Sequence, residues 1–170
     1  MAKLSGEIFE DLKGHLSEII GDKAVNLLLN KLEERDNLHL VVFKISEEIE
    51  KIYGKRGAYS VLRELGRSVA RDLMEKHPRE EWEDIFKKGL NLMGFAEGVE
   101  MRPDRACICS CAFYPKFLTK EGLKPTQHPV CWIGWGFVEG FMKALTGAKG
   151  VKFAQRDFDK KQCWFEIVNF

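Results

Sequence analysis

Apolar residues recur at helical spacing through residues 4–76, and each repeat leaves one greasy face that must be covered. Ile8, Leu12, Leu16 and Ile19 form the first such face, and Leu27, Leu28 and Leu32 resume the pattern after a break at Gly21-Asp22. The stretch from Leu38 to Ile45 reads two ways. It is apolar and β-branched enough for a strand, while Ser46 followed by Glu47 and Glu48 has the form of a helix start. From Ala58 to Lys76 the series Val61, Leu65, Val69, Leu73 predicts one helix, ended by His77-Pro78 because proline disfavours helical geometry in the residue before it. Pro78 with Glu80, Glu81 and Glu83 then opens a helix over 78–93, closed by Gly94.

Beyond Gly94 the pattern changes. Arg105 to Phe113 is short and cysteine-rich with an extended look, and turn residues follow as far as His128. Pro129 opens an apolar helix to about Leu145, with Gly147 as its C-cap. Val151–Ala154 and Cys163–Val168 read as strands joined by a turn over 157–161. The expected fold class is α+β: N-terminal helices, then a small antiparallel sheet packed on a buried glycine-rich helix. At 170 residues the chain fits one domain, with a helical part over 1–57 and a second part over 58–170.

Charge narrows the partners. Lys plus Arg is 27 against 26 for Asp plus Glu, so no strong field attracts nucleic acid or anionic lipid. The beginning lacks a basic-then-apolar leader, and Glu139 and Lys143 interrupt the most apolar stretch, so neither a secretory signal nor a membrane span is expected and the cytoplasm is the expected location. Five cysteines, at 107, 109, 111, 131 and 163, suit metal or thiol chemistry better than a disulfide framework. Small buried cysteines are the plainer reading of the same residues.

Cys107, Cys109 and Cys111 alternate, so an extended strand puts them on one face. Its ends lie about 13 Å apart, too far for one tetrahedral zinc. His128 and Cys131 flank the start of the apolar helix, where the macrodipole favours a thiolate; they form either half a metal site or an activated nucleophile. The run from Gly134 to Gly140 has the wrong spacing and setting for a dinucleotide loop, and its glycines imply close packing instead. Trp132, Trp135, Phe137, Phe141, Phe153 and Trp164 are candidates to line an apolar cavity for a ring-containing or hydrocarbon ligand, and equally to form core.

Three segments, Leu65-Gly-Arg-Ser-Val-Ala-Arg-Asp-Leu73, Pro129-Val-Cys-Trp-Ile-Gly-Trp-Gly-Phe-Val-Glu-Gly140 and Val151 to Val168 with Cys163-Trp-Phe165, resemble in their order the 4-vinyl reductase domain family. The resemblance spans about residues 60–168. It implies a fold related to synbindin-like transport-particle subunits and haem nitric-oxide sensors, binding of a small hydrophobic or aromatic molecule and, in several members, zinc. Cys131 and Cys163 match the family's zinc cysteines, whereas Gln155 and Phe158 stand where its glutamate and middle cysteine are expected. Cys109, Cys111 and His128 are the candidate replacements. The segment from Cys111 to Cys131 also resembles the aminothiazoline-carboxylate hydrolases, which implies a cysteine- or zinc-dependent hydrolase. The helical first half suggests a third reading, an interaction module of the transport-particle kind. A homodimer through the face of Ile8, Leu12, Leu16 and Ile19 is expected if the small sheet leaves that face open.

Overall fold

The computed structural model describes residues 2–29, 38–96, 98–102, 105–109, 129–157 and 162–168, of which 2, 98, 105–109, 153–157, 162 and 163 are described by backbone. Helices α1 (Ala2–Ile20) and α2 (Asp22–Leu29) come first, followed by the long α3 (Leu38–Lys76) and α4 (Trp82–Leu92). Strands β1 (Gly98–Met101) and β2 (Arg105–Cys109), helix α5 (Val130–Thr146), and strands β3 (Gly150–Asp157) and β4 (Gln162–Val168) complete the order. The four strands form one antiparallel sheet in the order β1-β2-β4-β3. This is the α+β arrangement expected from the sequence pattern. Among the described residues no helix is long and apolar enough to cross a membrane.

The two-way stretch from Leu38 to Ile45 is helix. Leu38, Val41, Val42, Ile45 and Ile49 are all buried along one side, which is helical rather than strand periodicity. Ser46 starts nothing. It lies inside α3 and its hydroxyl donates to the Phe43 carbonyl at 2.6 Å. The actual break in α3 is Gly54, whose φ of 73° and ψ of 175° leave helical space where a side chain would be strained. The expected division near residue 57 therefore falls inside one long helix, just past its break.

At the end of α3 the Trp82 indole donates to the carbonyls of His77, at 3.0 Å, and Met74, at 3.2 Å, satisfying groups the helix leaves unpaired. This junction delays α4: a single 3-10 turn over Arg79–Glu81 precedes it, where the sequence pattern predicted a helix from 78. Gly94, at φ 86°, ends α4 with Phe95 N–H on the Leu90 carbonyl and Gly94 N–H on that of Asn91, a Schellman pairing. That turn aims the Phe95 ring at Gly134 of α5.

Helix α5 is the centre of the molecule, in contact with α3 and α4 on one side and with β3 on the other. Its glycines permit this. A Cβ built on Gly136 would lie 2.0 Å from the Arg63 carbonyl oxygen, and one on Gly66 of α3 would lie 2.1 Å from the Ile133 carbonyl oxygen. The two backbones thus touch directly, each through the other's glycine. Gly140 meets the Ala70 methyl in the same way, and Gly89 of α4 makes room for the Phe137 ring.

The face of α1 carrying Ile8, Leu12 and Leu16 is covered by the chain itself, with exposures of 0%, 1% and 0%. It packs mainly on α3, with contributions from α2 and α4. Ile19, the fourth residue of that face, is partly exposed, so packing within the chain covers most of the face on which the homodimer expectation rested.

Gly136→Ala is expected to lower the unfolding free energy by about 3 kcal/mol, since neither backbone can yield to the added methyl without separating the helices. Gly14→Ala in α1, where a Cβ meets nothing within 4 Å, is expected to raise it by about 0.5–1 kcal/mol. Denaturant unfolding of the two variants beside the parent chain measures both, and equal effects would contradict the close crossing.

Candidate ligand-binding site

Trp132, Trp135 and Glu139 follow one another at three- and four-residue steps along α5, and Tyr59, Arg63 and Arg67 do so along α3. Such spacing keeps each set on one helix face, and the glycine crossing lays the two faces together. The Glu139 carboxylate accepts from Arg63 Nη2 at 2.6 Å on one oxygen and from Arg67 Nη1 at 2.7 Å on the other. Glu139 is only 8% exposed, and this pair of arginines supplies the partners that a buried carboxyl group in an otherwise apolar helix requires. Arg67 is held in turn by Glu64, through bonds of 3.0 and 2.9 Å from Nε and Nη2.

Arg63 also belongs to an aromatic cluster. Its guanidinium carbon lies 4.5 Å from the Trp135 ring centroid and 5.1 Å from that of Tyr59, while Nη1 donates to the Tyr59 hydroxyl at 2.8 Å. Tyr59 stands edge-on to Trp132 at 5.4 Å and to Trp135 at 6.0 Å. Trp135 reaches the sheet as well: its Nε1 donates to the Val151 carbonyl at 3.4 Å and its ring meets Phe165 at 6.2 Å. Tyr59, Arg63 and Trp135 are each half-buried, so the cluster forms a wall at the surface where α3, α5 and the sheet meet. Cys131, also half-buried, lies one turn before Trp135.

The aromatic residues singled out from sequence separate into three groups. Phe137 and Phe141 are 0% exposed and lie tilted to each other at 4.9 Å; Phe86 stacks on Phe141 at 5.3 Å and meets Phe137 at 6.2 Å, so both stand behind the wall as core. Trp135 lies in the wall, and Trp132, only 7% exposed, meets Tyr59 from the core side. Trp164 is on the other side of the sheet: it neighbours Phe165, which faces α5, and its ring carries the Arg102 guanidinium at 5.0 Å. Phe153 takes the register position opposite Phe165. One cavity between α5 and the strands does not accommodate both Trp135 and Trp164, because consecutive strand residues point to opposite faces.

Of the candidate metal ligands, Cys111 and His128 lie outside the described residues, and among the described residues no group of three His, Cys, Asp or Glu is placed to hold a metal ion. The ladder adds a constraint. Cys109 pairs with Gln162 and Cys107 with Trp164, whereas Cys163 pairs with Ile108. Directly opposed residues share a face, so positions 107 and 109 fall in the alternation class of Trp164 and position 163 falls in that of Phe165. Cys109 and Cys163 are described by backbone alone, at ladder positions opposite Gln162 and Ile108.

Tyr59, Arg63 and the pairing of Arg67 with Glu139 were absent from the sequence-based site. One signal for them existed: a carboxylate within the apolar run of α5 implies a buried cationic partner. Compared with known protein families, with curated proteins and with solved structures, the chain matches none.

Burial opposes the charge on Arg67, but its hydrogen bonds to Glu139 and Glu64 outweigh that and hold its pKa above the ordinary value. Burial likewise pushes Glu64 up, and the Arg67 and Ser68 hydrogen bonds with the nearby Arg71 charge bring it down overall. A lowered carboxyl pKa contributes stability above the ordinary carboxyl range that is lost as pH falls through the lowered value. Glu64→Gln is therefore expected to lose no more than about 1 kcal/mol at neutral pH, because Glu64 is exposed, and to converge with the parent in acid. Glu139→Gln is expected to lose more, about 2–4 kcal/mol, since two arginines keep their charges with no carboxylate between them. Unfolding free energies across the pH range check the order of the two variants and the convergence.

Proposed function

We propose that this chain is a small-molecule binding or sensing domain whose ligand, aromatic or hydrophobic, docks on the wall formed by Tyr59, Arg63 and Trp135. The observation that carries the reading is the setting of Trp135. Its indole is half-buried, tied at Nε1 to β3, capped by the Arg63 guanidinium and braced edge-on by Tyr59. A rigid aromatic surface that is already held in place loses little entropy when a ring stacks on it, and preorganisation of this kind favours binding. The resemblance of residues 60–168 to the 4-vinyl reductase family implies the same class of ligand.

A panel of phenols, porphyrin fragments and fatty acids, added to the full chain, provides the test. A binder is expected to change tryptophan fluorescence and to add about 2.7 kcal/mol of stability at a concentration one hundred times its Kd. Trp135→Leu is expected to weaken that binder about five- to thirty-fold, the loss of one stacking and one cation–π contact. Trp164→Leu, on the opposite sheet face, is expected to leave affinity unchanged. A panel that shifts neither fluorescence nor melting, or a binder equally indifferent to both variants, would remove the wall as a ligand site.

A further inference from the structure

Tyr59 and Arg63 present hydrogen-bond donors that nothing around them answers. Arg63 Nη1 lies 2.8 Å from the Tyr59 hydroxyl oxygen. A guanidinium group has only donors, so the hydroxyl oxygen is the acceptor in this contact and its own proton points elsewhere. Among the described residues no acceptor meets that proton. An oxygen that accepts from a cation is also the stronger donor for it, because linked hydrogen bonds polarise one another. On the same side chain Arg63 Nη1 keeps a second N–H, and Arg63 Nε is buried without a partner.

The other polar groups of the wall and its clamp are answered. Trp135 Nε1 has the Val151 carbonyl, both Glu139 oxygens are occupied, and Arg67 is shared between Glu139 and Glu64. The unmet capacity of the wall is therefore of one sign, that of a donor. The charge agrees with it. Between residues 55 and 67 helix α3 carries Lys55, Arg56, Arg63 and Arg67 against Glu64 alone, and α5 adds Glu139. Glu139 and Glu64 are taken up by Arg63 and Arg67, whereas Lys55 and Arg56 are exposed and have no ion pair among the described residues. Lys55 stands one turn before Tyr59 on the same helix face. A surplus of positive charge thus lies at the Tyr59 end of the wall.

A neutral hydrocarbon laid on Trp135 would strip water from these donors and give no acceptor in return. A carboxylate at the edge of the ring offers two acceptor oxygens and one negative charge, which meets both the donors and the surplus. Resting on the reading of the wall as a ligand site, we propose that its ligand is an aromatic carboxylic acid bound as the anion. The ring lies on Trp135, and the carboxylate accepts from the Tyr59 hydroxyl and from Arg63. Lys55 and Arg56 attract the anion to that end of the wall without fixing its position.

Naphthoate and its methyl ester, titrated by calorimetry against the full chain at neutral pH, separate the acid from the ring. Naphthoate is expected to bind about tenfold more tightly, since charge-assisted hydrogen bonds are the stronger kind. Tyr59→Phe keeps the ring beside Trp135 and removes only the hydroxyl. It is expected to weaken naphthoate about tenfold and the ester by no more than about twofold. Lys55→Gln, at an exposed position, is expected to weaken naphthoate about two- to threefold at low salt and to have no effect at high salt, where the attraction is screened. Trp135→Leu is expected to weaken both compounds alike. An ester that binds as tightly as the acid, or naphthoate binding that ignores Tyr59→Phe, would overturn the carboxylate assignment and leave the wall as a site for rings. Binding of neither compound, or binding of both that ignores Trp135→Leu, would remove the wall as the ligand site and the assignment with it.

Discussion

Two helix backbones in direct contact are the constraint from which the rest of this structure follows. Gly66 and Gly136 let α3 and α5 approach until a single Cβ on either would meet a carbonyl oxygen of the other. At that separation residues three and four positions away on both helices are forced into contact, and the sequence has filled those positions with complementary groups. Below the crossing, Phe141 stacks on Phe86 of α4 and Phe137 packs against both rings. On the outer side, Arg63 and Arg67 close on Glu139. Three helix-interior glycines in α5 cost helix propensity, of order 0.5–1 kcal/mol each, and the packing they permit offsets it.

The polar clamp beside the crossing is a specificity device as much as a stabilising one. An apolar contact of this kind tolerates sliding by a turn, but a carboxylate that must receive two guanidinium groups does not. Arg63 links this clamp to Tyr59 and Trp135, so the register of the helices and the orientation of the aromatic wall are set together. Trp135 then carries the same register into the sheet through Val151 and Phe165. The proposed ligand surface is thus built where helix packing is most constrained, which suits a site that must hold its shape.

The attachment of α1 follows different physics. Its apolar face joins the common core, yet its flank meets α3 through polar pairs, His15 with Asp72, Lys76 with Asp11 and His77 with Glu7. Burial of the Asp11 carboxylate costs free energy that the Lys76 contact only partly returns.

The sequence by itself determined what is local. The four-residue steps of Val61, Leu65, Val69 and Leu73, the stop at His77-Pro78, the turns at Gly94 and Gly147 and the two closing strands were all legible, because period, capping and proline geometry act within a few residues. The α+β class followed from their order. What tertiary structure decided is which surfaces meet. Leu38 to Ile45 became helix because its buried side found a core, and β1 exists because β2 pairs with it, not because Gly98–Met101 has a pattern of its own. Phe137 and Trp135 lie two residues apart in the same apolar helix, yet one is core and the other wall; Trp164 and Phe165 are adjacent and lie on opposite sheet faces. Tyr59, Arg63 and Glu139 joined the site across more than seventy residues of chain. A contact at that separation leaves no periodic trace in either segment, so the glycine crossing and the ladder register, rather than any local preference, settled what faces what.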